Sequence, residues 1–171
     1  GVKGLRVGAS FYYNQTAKNG TKPWRNTGYK FPVTIVTGDL QYKGFNNNLI
    51  VRGNAVYGNL GASGALTTIN NSSSAASGYP NTTVAQNAVS YGGEAGYNIG
   101  SFFHSKAPRI YPFIRYEYYN PQEKGEASQI MEKRCQVSMW TAGLNWYALP
   151  NLVVKADYTT RQIGTNKVFG T

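Results

Sequence analysis

The chain has 171 residues, of which 41% are hydrophobic and only 14% are charged, and it contains 20 glycines and 14 tyrosines. This composition favours strands and turns over helices, and no apolar run approaches the roughly 20 residues that a membrane-spanning helix needs. A helical membrane protein is therefore excluded. A β-barrel membrane protein is not, because its strands are only half apolar.

Basic residues outnumber acidic ones, with 17 Lys and Arg against 7 Asp and Glu, for a formal net charge of +10. Such a charge suits an anionic partner, namely nucleic acid, lipopolysaccharide or a small anion. The single cysteine, Cys135, has no partner for a disulfide within the chain. An oxidative crosslink therefore does not stabilise the fold.

Segments along the chain alternate apolar and polar residues with the period of two that predicts β-strands. In the third of them, Leu49, Val51 and Ala55 fall on one parity, and Arg52 and Asn54 on the other. The predicted strands cover residues 4–14, 32–42, 48–59, 88–99, 110–119, 137–147 and 152–162. One side of such a strand is apolar, and the other must meet water or a polar network, because unpaired polar groups are costly to bury.

The connections between these strands alternate in length. Long polar stretches without periodicity lie at 14–30, 60–87 and 120–134, and short connections lie at 43–48, 100–108 and 148–151. The stretch at 60–87 is predicted to be irregular because it is low in complexity, and 129–133 has room for one helical turn. The alternation is typical of outer-membrane barrels, whose turns are tight at one end and extended at the other. The sequence predicts an all-β fold, an antiparallel transmembrane β-barrel segment.

Aromatic residues concentrate near the strand ends. Those near the long connections are Tyr13, Tyr57, Tyr118 and Tyr158, and those near the short turns are Tyr42, Phe45, Tyr97, Trp146 and Tyr147. Two such girdles are typical of a barrel that crosses two membrane interfaces. The alternative is a soluble β-sandwich, which would bury its aromatic residues in one core but needs no alternation of connection lengths.

The apolar residues at alternate positions of the predicted strands are predicted to face lipid. They are Leu5, Val7, Ala9, Phe11, Val36, Leu40, Val51, Ala55, Val89, Ala95, Ile114, Tyr116, Ala142, Leu144, Val154 and Ala156.

The residues at the other alternate positions, on the polar side of the strands, form the candidate site. They are predicted to line a pore and bind anions. The basic ones are Arg6, Lys43, Arg52, Arg115, Lys155 and Arg161, opposed by Asp39, Glu94, Glu117 and Asp157. The connection at 14–30 adds Lys18, Lys22, Arg25 and Lys30 without an acidic residue. Basic residues at a pore mouth raise the local concentration of anions. The alternative for the loop cations is that they bind the phosphates of lipopolysaccharide outside the pore.

Enzymatic, metal and nucleic-acid functions find no support in the sequence. A Ser/His/acid site needs a histidine close to both partners, and the only histidine, His104, lies in a short connection without an acidic neighbour. Neither metal-ligand spacing nor a phosphate-binding glycine motif occurs. A base-stacking surface needs aromatic and basic residues on one face, whereas this chain places them on opposite faces. We expect no enzyme activity, no cofactor, no metal and no nucleic-acid partner.

Four stretches carry a resemblance to a known family: AVYGNL, GGEAGYNIG, YPFIRYEYYNPQ and ALPNLVVKADYTTRQIG. They resemble the carboxy-terminal half of bacterial outer-membrane porins of the phosphate-selective porin O and P type, especially Bacteroidetes members. The resemblance implies a passive diffusion channel for small hydrophilic solutes, with anions such as phosphate preferred. It also implies a homotrimer in the outer membrane of a Gram-negative bacterium, in contact with lipid and lipopolysaccharide.

Two features depart from that family. An amino-terminal half is missing, and the final strand does not end in an aromatic residue, since Gly170 and Thr171 follow Phe169. The family implies a barrel of about sixteen strands, an even number as in other single-chain bacterial barrels. We therefore expect residues 1–171 to be a single segment of a longer chain, the alternative being closure by several copies.

One long connection folds into the pore in many porins, and we expect 60–87 to do so here, the alternative being an external loop. The alternative function is a soluble or surface-exposed β-sheet protein that binds carbohydrate or lipopolysaccharide without a channel.

Overall fold

A computed structural model describes residues 2–15, 30–77, 83–103, 108–127, 129–149 and 151–164. Seven strands and one α-helix lie in this part of the chain. They are β1 (Leu5–Gln15), β2 (Pro32–Gly44), β3 (Leu49–Leu60), α1 (Ser63–Ser77), β4 (Asn87–Tyr97), β5 (Arg109–Lys124), β6 (Val137–Leu149) and β7 (Leu152–Ile163). The described residues also contain two short 3-10 turns, Ile99–Phe102 and Lys133–Cys135.

The strands form one sheet in which every neighbour is the next strand along the chain. All six pairings are antiparallel. The predicted all-β antiparallel meander is confirmed. The described sheet ends at β1 on one side and at β7 on the other.

The pairing register sorts the side chains onto two faces. Side chains alternate between the two faces along each strand, and residues that are directly paired across strands lie on the same face. Arg52 is paired with Gln41 on β2 and with Glu94 on β4, so these three side chains share one face. We call the side with these residues the polar face and the side with Val7, Leu40 and Val51 the apolar face. All the residues predicted to face lipid lie on the apolar face.

No second layer covers the apolar face within the described residues. Val7 is 73% exposed, Phe11 69% and Ile114 53%. The buried hydrophobic residues in this part of the chain are Phe31, Tyr111 and Val137, which is too few for the core of a soluble domain. A β-sandwich would place a second sheet over this face, and the described residues do not form one.

Two of the predicted loops contain regular structure. The connection at 60–87 holds α1, and β5 continues to Lys124, into the stretch predicted as a loop at 120–134. In this extension Lys124 pairs with Asn87 on β4, beyond a shift in the pairing register. At the start of the extension, the Asn120 side chain accepts a hydrogen bond from the Gln122 amide at 3.0 Å. The stretch 129–133, given room for one helical turn at most, contributes only Lys133 to a 3-10 turn that covers Lys133–Cys135.

A distant carboxylate anchors α1. The Glu126 side chain, from the β5–β6 connection, accepts a hydrogen bond from the Gly64 amide at 2.7 Å. Gly64 lies in the first turn of the helix, where a negative charge complements the helix dipole. The Thr67 hydroxyl accepts a further bond from the Val84 amide at 2.9 Å. The helix is thus joined to two other segments at the long-connection end of the sheet, and its position inside a pore stays a prediction.

The short turns lie at the opposite end of the sheet. The β2–β3 turn has positive φ at Phe45, Asn46 and Asn47, of 51°, 56° and 67°. Asparagine adopts this conformation more readily than most residues, which suits Asn46 and Asn47 to this turn. Because successive strands are antiparallel neighbours, the short connections all lie at one end of the strands and the long connections at the other.

Candidate functional site

A polar band crosses the polar face from strand to strand. The register aligns one residue from each strand in a row, namely Arg6, Gln41, Arg52, Glu94, Arg115, Thr141 and Thr159. The adjacent row is Gly8, Asp39, Asn54, Gly92, Glu117, Met139 and Arg161. The alternation in the sequence predicted that these residues share a face. The strand register shows which of them are neighbours.

An ion-pair cluster lies at the centre of this band. The carboxylate of Glu94 accepts hydrogen bonds at Oε2 from Arg115 Nε at 2.9 Å and Nη2 at 2.5 Å. Its Oε1 accepts one from Arg52 Nη1 at 3.4 Å. A second carboxylate, that of Glu117, lies 4.0 Å from Arg115 Nη1. We call Arg52, Glu94, Arg115 and Glu117 the Glu94 cluster.

The cluster borders an open hollow of about 560 Å³ on the polar face. Two glycines form part of its floor, and each lies under a polar side chain. A Cβ at Gly8 would collide with the carboxylate of Asp39, and one at Gly92 would come within 3.3 Å of Asn54 Oδ1 and of Glu117 Cγ. The glycines therefore let these side chains lie flat against the sheet, which keeps the hollow open.

Other predicted cations are not bonded to the cluster. Arg6, Lys43 and Lys155 form no ion pair within the described residues, and Arg161 Nη2 donates to the Tyr119 hydroxyl at 3.3 Å. Of the loop cations, Lys30 is exposed just before β2. The remaining predictions, Lys18, Lys22 and Arg25, lie outside the described residues.

Sequence reasoning missed several members of the polar face. Arg109 begins β5 and faces Tyr147, with its guanidinium carbon 5.2 Å from the ring centre. The prediction that aromatic and basic residues take opposite faces is therefore wrong at this pair. The predicted strand began one residue later, so extending the parity by one position would have found Arg109. Two hydroxyl pairs were also missed, Ser10 with Thr37 at 2.7 Å and Thr141 with Thr159 at 2.8 Å.

An aromatic cluster occupies the apolar face away from the strand ends. Tyr91 stacks on Tyr118 with ring centres 5.0 Å apart, and Tyr116 lies 6.3 Å from Tyr91 and 4.7 Å from Trp140. Tyr116 and Trp140 are in the same row as Gly93 and Gly53, near the middle of β3 and β4. The girdle prediction placed Tyr118 near a strand end, but β5 continues to Lys124, and the prediction did not include Tyr91, Tyr116 or Trp140.

The described residues contain neither a candidate metal site nor a membrane-spanning helix. No group of three His, Cys, Asp or Glu side chains there is arranged to hold a metal ion. The helical segments in this part of the chain are too short or too polar to cross a membrane.

Comparison of the chain with models of protein families, with curated proteins and with solved structures finds no match. Its function must be argued from the geometry of the two faces.

Proposed function

We propose that this chain forms part of the wall of an outer-membrane porin, a passive channel for small hydrophilic solutes that prefers anions such as phosphate. The observation that carries the proposal is a single sheet with an exposed apolar face on one side and, on the other, a polar band with an ion-pair cluster at its centre. Lipid would cover the first face and water in a channel would hydrate the second.

The exposed apolar face argues for a membrane environment. Contiguous apolar surface of this extent is rare on a monomeric soluble protein, and here it spans all the described strands. The strands are 11 to 16 residues long, and a transmembrane strand needs about 9 to 11 residues. Each strand is therefore long enough to cross the hydrocarbon layer.

Strand direction argues for a larger barrel. β1 and β7 both run from the short-turn end to the long-connection end, since six antiparallel pairings separate them. Joining β1 directly to β7 would make a parallel pair, and so would joining copies of this segment that insert in the same orientation. Edges left open in lipid are costly because their backbone groups have no partners. Antiparallel closure therefore needs an odd number of further strands, as a segment of a longer barrel would supply.

The charges on the polar face support anion preference. Within the described residues Arg6, Lys43, Lys155 and Arg161 form no ion pair, and neither do Asp39 and Asp157, whereas the carboxylates of Glu94 and Glu117 are engaged by arginine. Unpaired cations of the polar face therefore outnumber its unpaired carboxylates. Cations without a bound carboxylate are free to attract solute anions. The resemblance to phosphate-selective porins agrees with this preference, and with it we propose a homotrimer that contacts lipid and lipopolysaccharide in the outer membrane of a Gram-negative bacterium.

The open hollow favours a second candidate, a surface β-sheet protein that binds carbohydrate or lipopolysaccharide without a channel. Its lining mixes arginine donors with carboxylate and amide acceptors, including Gln41 and Asn54, and sugar hydroxyls need both. This candidate leaves the exposed apolar face without a partner, so we place it second.

Conductance separates the two candidates. The complete protein containing this chain would be purified in detergent and added to a planar lipid bilayer under a salt gradient. The porin proposal predicts discrete conductance steps and a reversal potential of the sign that anion permeation gives. Cation selectivity at low ionic strength, where screening is weakest, would overturn the anion preference. A protein that binds lipopolysaccharide but gives no conductance would favour the second candidate.

A further inference from the structure

We propose that Glu94 decides whether the central arginines of the polar face can bind anions, because its carboxylate holds Arg52 and Arg115 in one cluster. This inference rests on the proposed channel function. Glu94 on β4 is paired in register with Arg52 on β3 and with Arg115 on β5. One carboxylate thus lies between two guanidinium groups.

The geometry of the cluster occupies both oxygens of Glu94. Oε1 accepts from Arg52 at 3.4 Å, and Oε2 accepts from two nitrogens of Arg115 at 2.9 and 2.5 Å. The Glu94 side chain is 17% exposed, against 56% for Arg52 and 41% for Arg115. The carboxylate therefore lies beneath the two more exposed guanidinium groups.

A phosphate in the channel must compete with Glu94 for Arg115. Adjacent guanidinium nitrogens bind a phosphate or a carboxylate through parallel hydrogen bonds. Arg115 already directs Nε and Nη2 at Glu94. Arg6, in the same row and in the same hollow, forms no ion pair within the described residues. We infer that anions bind at Arg6 in preference to the central arginines, and that Glu94 sets this difference.

Asp39 provides a matched control. It lies in the adjacent row of the polar face and lines the same hollow. Its carboxylate lies over Gly8 and forms no ion pair within the described residues. Asp39→Asn and Glu94→Gln each remove one negative charge from the hollow, but only Glu94→Gln releases two arginines. The two variants thus separate net charge from arginine availability.

The experiment uses the complete protein in planar lipid bilayers with inorganic phosphate as the probe. Two quantities are measured for each variant, the reversal potential in a chloride gradient and the phosphate concentration that halves the chloride current. Both variants should shift the reversal potential toward anions by similar amounts, since each changes the wall by one charge. Glu94→Gln alone should lower the half-blocking phosphate concentration by about 1.4- to fivefold, the fold-change that corresponds to the free energy of an exposed ion pair. Adding Arg115→Gln to Glu94→Gln should reverse most of that change.

A second pair of variants tests the inference if Glu94→Gln fails to insert. Arg52→Gln removes an arginine that Glu94 holds, and Arg6→Gln removes one without an ion pair. Arg6→Gln should raise the half-blocking phosphate concentration more than Arg52→Gln does. An equal effect within this pair, or equal phosphate block in Glu94→Gln and Asp39→Asn, would overturn the role of Glu94 while leaving the channel intact. A wild-type protein without conductance would instead overturn the channel, and the inference with it.

Discussion

The two faces of this sheet come from the same strands, yet they hold their side chains in different ways. On the polar face, cross-strand partners are joined by directional bonds, as in the Glu94 cluster and in the Thr141–Thr159 hydroxyl pair. On the apolar face the contacts are between rings, and large side chains such as Val7 and Phe11 stay exposed. The difference teaches that cross-strand bonds hold part of the polar face within the sheet, whereas large side chains of the apolar face have no cover from the described residues.

The largest expected effect comes from placing a charge on each face in turn. Ala55→Arg puts a cation at the middle of the apolar face and should lower the free energy of unfolding in lipid by about 2 to 4 kcal/mol. Its neighbour Asn54 lies on the polar face, so Asn54→Arg should leave stability nearly unchanged. Urea or guanidinium unfolding of each variant in lipid vesicles measures both values. Equal stability of the two variants would show that the faces are wrongly assigned.

The aromatic cluster should contribute less. Tyr116→Leu removes ring contacts with Tyr91 and Trp140 and should cost about 0.5 to 1.5 kcal/mol beyond the loss of apolar area. Tyr158 lies on the same face, is 73% exposed and has no ring contact within the described residues. Tyr158→Leu is therefore the matched control, and the same unfolding titration compares the two. A cost for Tyr158→Leu as large as that for Tyr116→Leu would remove any special role for the cluster.

Much of this arrangement follows from local sequence, and some of it does not. Alternation identified the strands and their faces because the side-chain period is a property of each strand alone. It could not predict that Glu94 bonds to both Arg52 and Arg115, because the register also depends on turn lengths and on the neighbouring strands. The sharing of a face was therefore predictable from sequence, and the ion-pair cluster was not.

Non-local contacts explain the missed elements. The Ser- and Asn-rich segment of α1 lacks the apolar periodicity that signals a helix, and its anchor Glu126 is 62 residues from Gly64. The extension of β5 runs through Pro121, a residue that normally argues against a strand. Pairing of Lys124 with Asn87 and the bonds around Asn120 continue the strand past it.

The hydroxyl pair on the polar face should have a smaller, separable effect. Thr159→Val removes one hydroxyl and leaves the buried Thr141 without its partner, at a cost of about 1 kcal/mol. The double change Thr141→Val with Thr159→Val replaces both partners by groups of the same shape and should recover part of that loss. A double-mutant cycle of unfolding free energies measures the coupling. Strict additivity would mean that the bond contributes nothing.

The smallest effect lies away from both faces, at the anchor of α1. Glu126→Gln removes the charge at the first turn of the helix and should cost about 0.3 to 1 kcal/mol. The loss should be local, so hydrogen exchange should accelerate at the amides of α1, including Gly64, and stay unchanged in β3 and β4. Uniformly faster exchange across the strands would indicate that the helix supports the sheet itself.

The central claim is that one face meets lipid and the other meets water, and spin labelling along β3 tests it most directly. In the complete protein with Cys135→Ser as background, single cysteines at positions 51 to 57 would carry a nitroxide in lipid vesicles. The account predicts that collisions with oxygen, which concentrates in lipid, peak at odd positions, and that collisions with a water-soluble nickel complex peak at even positions. Equal access of the nickel complex to both parities would contradict the account, because it would mean that water covers both faces.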